Sequence, residues 1–326
     1  MKKTNKIKLN INQAVILAIL LIGLSFTCGY LWAKNKTKAP ATTGKQSTTA
    51  TDTITFTKTD KPVLDFYVMS FCPYGQMAEA WLKPVFDLIG SKVDIMPHFI
   101  LNKFNSNAEL VENCKLRTGD QTKCAEYVTK KWFASESECK KTISANYTTC
   151  IDTKDYIKSS TGALYASLHG RTEANMNIRQ VCAWKQTEDK KQWWTFIENF
   201  NKTCNLQNAD TCWEDIAKKA GFDTTKITEC FNKDGINILE KEIAKSDKAQ
   251  ASYSPFITIN GSQFPPETAK GDITIGKKTI AAAQIRTAET MKLALCAAFK
   301  KAPKECDTVI AEAAAAAQAP AAGCAN

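Results

Sequence analysis

Residues 66–77 read FYVMSFCPYGQM. An apolar, partly aromatic run, VLDFYVM at 63–69, predicts a β-strand. The polypeptide then meets Ser70, Phe71, Cys72 and Pro73, and residues 73–90 carry a helical pattern closing on Gly90. VDIMPHFI, 93–100, predicts a second strand, so the region opens β-α-β with Cys72 where strand passes into helix. A cysteine in that position faces unpaired backbone N–H groups and the positive end of the helix dipole. Both favour thiolate, and the pKa of such a cysteine falls from about 8.5 toward roughly 3.5–7.5. Pro73 suits the first helical turn, where a missing N–H costs nothing, and Tyr74 offers an apolar edge near the sulfur. Gly75 stands where a dithiol centre would carry its second cysteine. The competing reading of Cys72 is a structural cysteine at a helix start.

The sequence has 326 residues, a 44% apolar fraction and a net charge of +10 from 43 basic and 33 acidic residues. Its lysines are scattered, with no long basic block, which argues for a solvated surface and against nucleic-acid binding. Residues 11–33, INQAVILAILLIGLSFTCGYLWA, carry no charge. At about 1.5 Å per residue they are long enough to cross a hydrocarbon core roughly 30 Å thick. Lys2, Lys3, Lys6 and Lys8 precede the run, which places the N-terminus in the cytoplasm. Lys34, Lys36 and Lys38 follow it, so the charge bias is small. No A-x-A site follows closely, which favours an uncleaved anchor over a cleaved signal. Cys28 lies inside this run, and Ser25-Phe26-Thr27 is the wrong lead-in for a lipobox.

None of the thirteen cysteines has C-x-x-C spacing, so zinc and iron–sulfur sites lack their usual signature and no metal is expected. An anchored, cysteine-rich sequence without metal spacing belongs in an oxidising compartment, at a cell surface, in a periplasm or in a lumen. With Cys28, Cys72 and Cys324 set aside, ten remain: Cys114, Cys124, Cys139, Cys150, Cys182, Cys204, Cys212, Cys230, Cys296 and Cys306. They suffice for five bridges. Spacing does not fix the connectivity, although Cys296 and Cys306 are close enough in sequence to pair.

Residues 34–60, rich in Thr, Lys, Ala and Ser, read as a flexible linker. From 104 to 250 strand signals vanish, and helices are expected over 107–131, 136–149, 153–168, 172–185, 189–201, 208–220, 223–231 and 235–249. Strand returns at SPFITING, 254–261, with a hairpin partner near 272–276 and a last helix over 285–300. The alanine-rich tail, 307–326, has no packing pattern. Strand and helix at both ends with helices between predict an α/β domain over 61–306. Its core would be 61–103 and 251–306, and 104–250 a helical, disulfide-rich insertion. A βαβ unit followed by an unrelated helical domain would strand the run at 255–260 without a sheet, and a lone hairpin is marginal in water.

Ser254-Pro255 directly precedes a strand, where thioredoxin-like folds place a cis-proline loop that faces the helix-start cysteine and aligns an extended substrate. Pro255 could equally start an edge strand. Residues 63–100 resemble a thioredoxin-fold opening, and 168–306 resemble the gamma-interferon-inducible lysosomal thiol reductase family. The matching pieces are Leu168-His169-Gly170 with Glu173 and Asn175, Arg179 to Cys182, TFIENFNKTC ending at Cys204, CWEDIAKKAGFDTTKITEC from Cys212 to Cys230, SPFITING, and LALCAAFKKAPKEC at 293–306. The luminal region of plant vacuolar sorting receptors is similar in NIRQVC, the Trp193-Trp194 pair and the C-terminal cysteine pair. The thiol reductase resemblance implies reduction of protein disulfides by a C-x-x-C pair. This sequence departs at Gly75, and at Ser167 and Ala174, where two flanking cysteines are lacking. With Cys72 alone, a mixed disulfide must be released by an outside thiol or by the substrate's own second thiol.

His98, on a strand, reads as a packed residue rather than a general base. His169, before Gly170, reads as a helix-end cap. Trp193, Trp194, Phe196 and Phe200 read as the apolar face of a helix. The expected function is thus an anchored thiol-disulfide oxidoreductase, isomerase or trap of single-cysteine type. Cys72, Pro73, Tyr74 and Gly75 would form the centre, and Ser254 and Pro255 would bind a protein or peptide substrate. No cofactor is expected beyond an external thiol reductant. The alternative is a non-catalytic thioredoxin-like module that binds protein or peptide.

Overall fold

The computed structural model describes residues 52–264, 271–311 and the backbone of 324–325. The expected anchor, 11–33, lies outside them. Among the described residues no helix is long and apolar enough to cross a membrane.

In chain order the elements begin with β1 (Asp52–Ile54), β2 (Val63–Val68), α1 (Pro73–Ile89), β3 (Asp94–Phe99) and β4 (Asn102–Phe104). Helices α2 (Asn107–Thr118), α3 (Cys124–Thr129) and α4 (Glu136–Cys150) follow. Then come β5 (Ile157–Lys158), β6 (Leu164–Ala166), α5 (Gly170–Gln186), α6 (Lys190–Thr203), α7 (Ala209–Lys219) and α8 (Thr224–Ala249). The remaining elements are β7 (Tyr253–Ser254), β8 (Phe256–Ile259), β9 (Ser262–Gln263), β10 (Ile273–Ile275), β11 (Lys278–Ile280), α9 (Ala288–Ala297) and β12 (Cys324–Ala325).

The central sheet has the order β3-β2-β8-β9. β2 runs parallel to β3 and antiparallel to β8, and β8 turns back into β9. Parallel neighbours need a crossover, and α1 supplies it. Leu64, Phe66 and Val68 alternate along β2 and are fully buried. On that face α1 packs against α6 and α9. Phe66 stacks on Trp194 at 5.8 Å between ring centroids and meets Trp193 edge-on at 6.4 Å. Trp193, Trp194, Phe196 and Phe200 are all buried here. This is a thioredoxin-like mixed α/β fold with added helices and many disulfides.

The polypeptide separates into two compact units. One contains, among its described residues, Cys114–Thr149; the other contains 52–113 and everything described from Cys150 onward. The smaller unit has its own core of Cys124, Cys139 and Ile143 with Tyr127 and Phe133, pinned by the Cys124–Cys139 bridge. In the larger unit, α5 to α8 share one apolar core with the central sheet, so they are not a separate body.

Several expectations are corrected. Residues 153–168 are not a helix: a short 3-10 turn leads into β5 and β6, which join β4 in a small antiparallel sheet of order β4-β6-β5. The expected helix over 107–131 breaks at Gly119, whose φ of 96° suits glycine. α8 is continuous through Gly235, where two helices were expected. A Cβ there would stand 3.5 Å from Ile178, so the glycine fits close helix packing without interrupting the helix. The partner of β8 is β9, not the 272–276 run, which as β10 pairs with β1 and β11. Part of the expected linker, Asp52–Ile54, is therefore a strand.

Of the ten cysteines assigned to bridges, eight pair as Cys124–Cys139, Cys182–Cys230, Cys204–Cys212 and Cys296–Cys306. Cys114 and Cys150 are also disulfide-bonded.

Candidate functional site

β2 ends at Val68, and four residues carry the polypeptide into α1. Cys72 is the helix N-cap, in an extended conformation, with Pro73 in the first turn and no acidic side chain there. Its N–H donates to Met69 O at 3.0 Å and its C=O accepts from Gln76 N at 3.0 Å, which closes the turn. Pro73 is exposed, whereas Tyr74 and Gly75 are buried. Tyr74 packs in a cluster with Tyr67, Met69, Cys72, Ile100, Ala251 and Phe256.

The loop is held from two directions. From the sheet side, Ser254 Oγ accepts from Met69 N at 3.2 Å. The Ser254–Pro255 peptide bond is cis, and Ser254 O lies 3.6 Å from Cys72 Sγ. The structure therefore brings Cys72, Gly75, Ser254 and Pro255 together across more than half the sequence. A Cβ added at Gly75 would stand 2.7 Å from Ser254 Oγ and 3.2 Å from Met69 O. The position of a second loop cysteine is thus occupied by the serine hydroxyl.

From the other side comes α5. Glu173, fully buried, accepts from Phe71 N at 2.7 Å and from His169 N at 3.1 Å. Four residues on, Asn177 Oδ1 accepts from Ser70 Oγ at 2.5 Å. Residues four apart share a helix face, so one face of α5 grips two consecutive residues before the cysteine. Nothing in the sequence says which backbone these side chains hold, and Asn177 was not singled out. His169 starts α5 rather than ending a preceding helix. Its Nδ1 lies 3.1 Å from both Glu173 oxygens. Burial pulls the His169 pKa down, but the bond to and charge of Glu173 outweigh it and leave it above the ordinary value.

His98 lies on β3 between Asp65 at 3.0 Å and Glu242 at 3.3 Å. Burial opposes its protonation, and the two carboxylates more than offset it, raising its pKa. Burial likewise opposes charge on Glu242, and His98 and Lys245 reverse that, so its pKa is lowered. This pair joins β3 to α8. Glu79, on α1 and buried, is pushed up to about 7 by burial, partly opposed by its bond from Asn201 Nδ2 at 2.6 Å. No cluster of three or more metal-ligating side chains exists among the described residues.

Two findings concern the sulfur itself. Cys72 was expected as a free thiol, but it is disulfide-bonded in this structure and fully buried. In addition β12 pairs antiparallel with β7, setting Cys324 opposite Ser254 and Ala325 opposite Tyr253. The backbone beside Pro255 thus accepts an extended segment.

Fold and loop together define a thioredoxin-like domain whose helix-start cysteine faces a proline loop. The protein belongs to the family of the vacuolar sorting receptor thioredoxin-like domain, whose model matches residues 78–274. Of the two resemblances read from the sequence, this is the one the family comparison carries. The match includes Pro255 and begins beyond Cys72. A comparison with curated proteins finds no match. Among solved structures, a reduced DsbA from Mycobacterium tuberculosis is 13% identical with a TM-score of 0.38, covering 79% of this chain and 93% of that one. A probable DsbA oxidoreductase from Streptomyces coelicolor is 12% identical with a TM-score of 0.39, covering 74% and 92%. The reduced M. tuberculosis DsbG is 13% identical with a TM-score of 0.35, covering 66% and 77%. At such TM-scores these likenesses say nothing about activity.

Proposed function

We propose that this protein is an extracytoplasmic thiol-disulfide oxidoreductase that exchanges protein or peptide disulfides through a mixed disulfide at Cys72. The observation that carries the reading is the place of the Cys72 sulfur, at the N-terminus of α1 and 3.6 Å from Ser254 O beside the cis Ser254–Pro255 bond. A sulfur at an uncompensated helix N-terminus is a stable thiolate once reduced, and a thiolate is the species that attacks a disulfide. The Tyr253–Ser254 edge is where an extended substrate would pair by β-addition. The CPYG loop holds a single cysteine, so turnover needs a second thiol from elsewhere, such as a soluble monothiol. The many bridges fit an oxidising compartment, and residues 11–33 would tether the domain to a membrane there.

The test is adduct formation. The full protein is reduced, desalted and mixed with a peptide bearing a glutathione mixed disulfide. Mass spectrometry of samples acid-quenched at early times should find the peptide on Cys72, and Cys72→Ser should abolish the adduct. A second reading, a binding module without chemistry, is favoured by membership of a sorting-receptor domain family. Capture of the same peptide by wild type and Cys72→Ser in equal yield, with no adduct on Cys72, would replace the first reading by this one.

A further inference from the structure

We infer that Cys324 is the disulfide partner of Cys72 and supplies, from the C-terminal tail, the second thiol that the CPYG loop lacks. The inference deepens the oxidoreductase reading and, in its catalytic part, rests on it.

The first argument is parity. Eleven cysteines lie between Cys72 and Cys306. Eight form the four bridges described above. The other three, Cys72, Cys114 and Cys150, are each disulfide-bonded. Three sulfurs cannot satisfy one another in pairs, so at least one bonds to Cys28 or Cys324, the cysteines that remain.

The second argument is register. β12 places Cys324 directly across from Ser254, and facing residues in an antiparallel pair have Cα atoms about 4.5–5.5 Å apart. Ser254 is the residue whose carbonyl lies against Cys72 Sγ, at 3.6 Å. β12 also lies beside α1, which Cys72 begins. A disulfide needs Cα atoms roughly 4.4–6.8 Å apart. The backbone of Cys324 is therefore set beside the sulfur that needs a partner, on the strand edge where a substrate would pair.

The third argument is filling. The usual place for a second cysteine, position 75, would put a Cβ 2.7 Å from Ser254 Oγ. A second thiol must come from another segment.

The chemistry balances as follows. The Cys72 thiolate attacks a substrate disulfide, forming a Cys72–substrate disulfide and expelling one substrate thiolate. The Cys324 thiolate then attacks Cys72 Sγ, forming Cys72–Cys324 and expelling the second substrate thiolate. The substrate has gained two electrons and, from solvent, two protons; the protein has lost two electrons. A soluble monothiol resets it: one molecule opens Cys72–Cys324, and a second releases the mixed disulfide as an oxidised dimer of the monothiol.

Two measurements on the full protein test this. Digestion of oxidised wild type without reductant, followed by mass spectrometry, should yield a peptide pair joined through Cys72 and Cys324. It needs no variant, so misfolding cannot confound it, and absence of that pair overturns the inference. In the second, reduced wild type and Cys324→Ser meet the glutathionylated peptide under single-turnover conditions. The variant should retain at least tenfold more peptide on Cys72, because the wild type releases it. Equal adduct in both overturns the role of Cys324 and leaves the oxidoreductase reading standing. Adduct in neither overturns both.

Discussion

At position 75 a single missing Cβ decides which chemistry the loop can hold. Ser254 Oγ occupies the space a side chain would need and accepts from Met69 N, so it cannot turn away without orphaning a buried donor. Gly75→Ala should therefore lower stability by about 1–3 kcal/mol, read as a lower urea midpoint. Combined with Ser254→Ala, which removes the clash, the two costs should sum to less than their separate values. An unchanged midpoint for Gly75→Ala would show that the loop yields freely. Glu79 makes a second prediction, in pH. Its folded pKa of about 7 stands above the ordinary carboxylate value of 4.5. A raised acid binds more protons folded than unfolded, so its contribution to stability is full below pH 4.5 and is lost as pH rises to about 7. Glu79→Gln keeps an acceptor for Asn201 and removes that loss. Above pH 7 it should be the more stable protein, by up to about 3 kcal/mol, and denaturant titrations at pH 5 and pH 8 would show the difference. Parallel pH profiles for the two proteins would refute the assignment. Glycine at 75 was visible in the sequence as a departure from a dithiol motif. Its reason was not, because Ser254 is far away in the sequence and only the fold brings its hydroxyl there.

Helix α5 is the element that joins the insertion to the candidate centre. Its residues Glu173 and Asn177 hold Phe71 and Ser70, and its far end is tied to α8 by Cys182–Cys230. A bridge spanning 48 residues restricts the unfolded chain by about 4 kcal/mol in the chain-entropy account. The Cys182→Ala, Cys230→Ala double variant should lose stability on that order in a guanidinium melt. An unchanged midpoint would mean that packing alone fixes α5. Glu173→Ala should cost about 1–3 kcal/mol, the usual toll for leaving a buried donor unpaired, here Phe71 N. It should also raise the hydrogen-exchange rate of residues 69–72; unchanged exchange there would remove α5 as the loop's support. The long periodic elements were legible from sequence: β2, α1 and β3 fall within a residue or two of their expected bounds. The short strands were not. β4, β5 and β6 have two or three residues each, and pairing with distant partners makes them strands. β1 did leave a signal: TDTITFTKT at 51–59 alternates with period two, although its polar composition suggested a linker.

For the molecule as a whole, the boundary that matters thermodynamically is not the one between thioredoxin-like core and helical insertion. Trp193, Trp194 and Phe196 of α6 lie in the same buried cluster as Leu64, Phe66 and Val68 of β2. Burying side chains of that size contributes on the order of 1.5–3 kcal/mol each, so α6 cannot loosen without loosening the sheet. The smaller unit is different. Among its described residues Cys124, Cys139 and Ile143 form a small buried cluster and Cys114 is buried as well, far too little apolar surface to hold roughly thirty-five residues against their chain entropy. Cys124–Cys139 closes a loop of 15 residues, worth about 3 kcal/mol, which makes this unit the part most dependent on oxidation. Mild reduction followed by hydrogen exchange should therefore strip protection from 114–149 first, while amides of β2, β8 and α6 exchange only on global unfolding. Simultaneous loss across α5 to α8 and 114–149, with the sheet still protected, would restore the larger insertion as the folding unit. Loss in the sheet together with 114–149 would mean that the two compact units unfold as one.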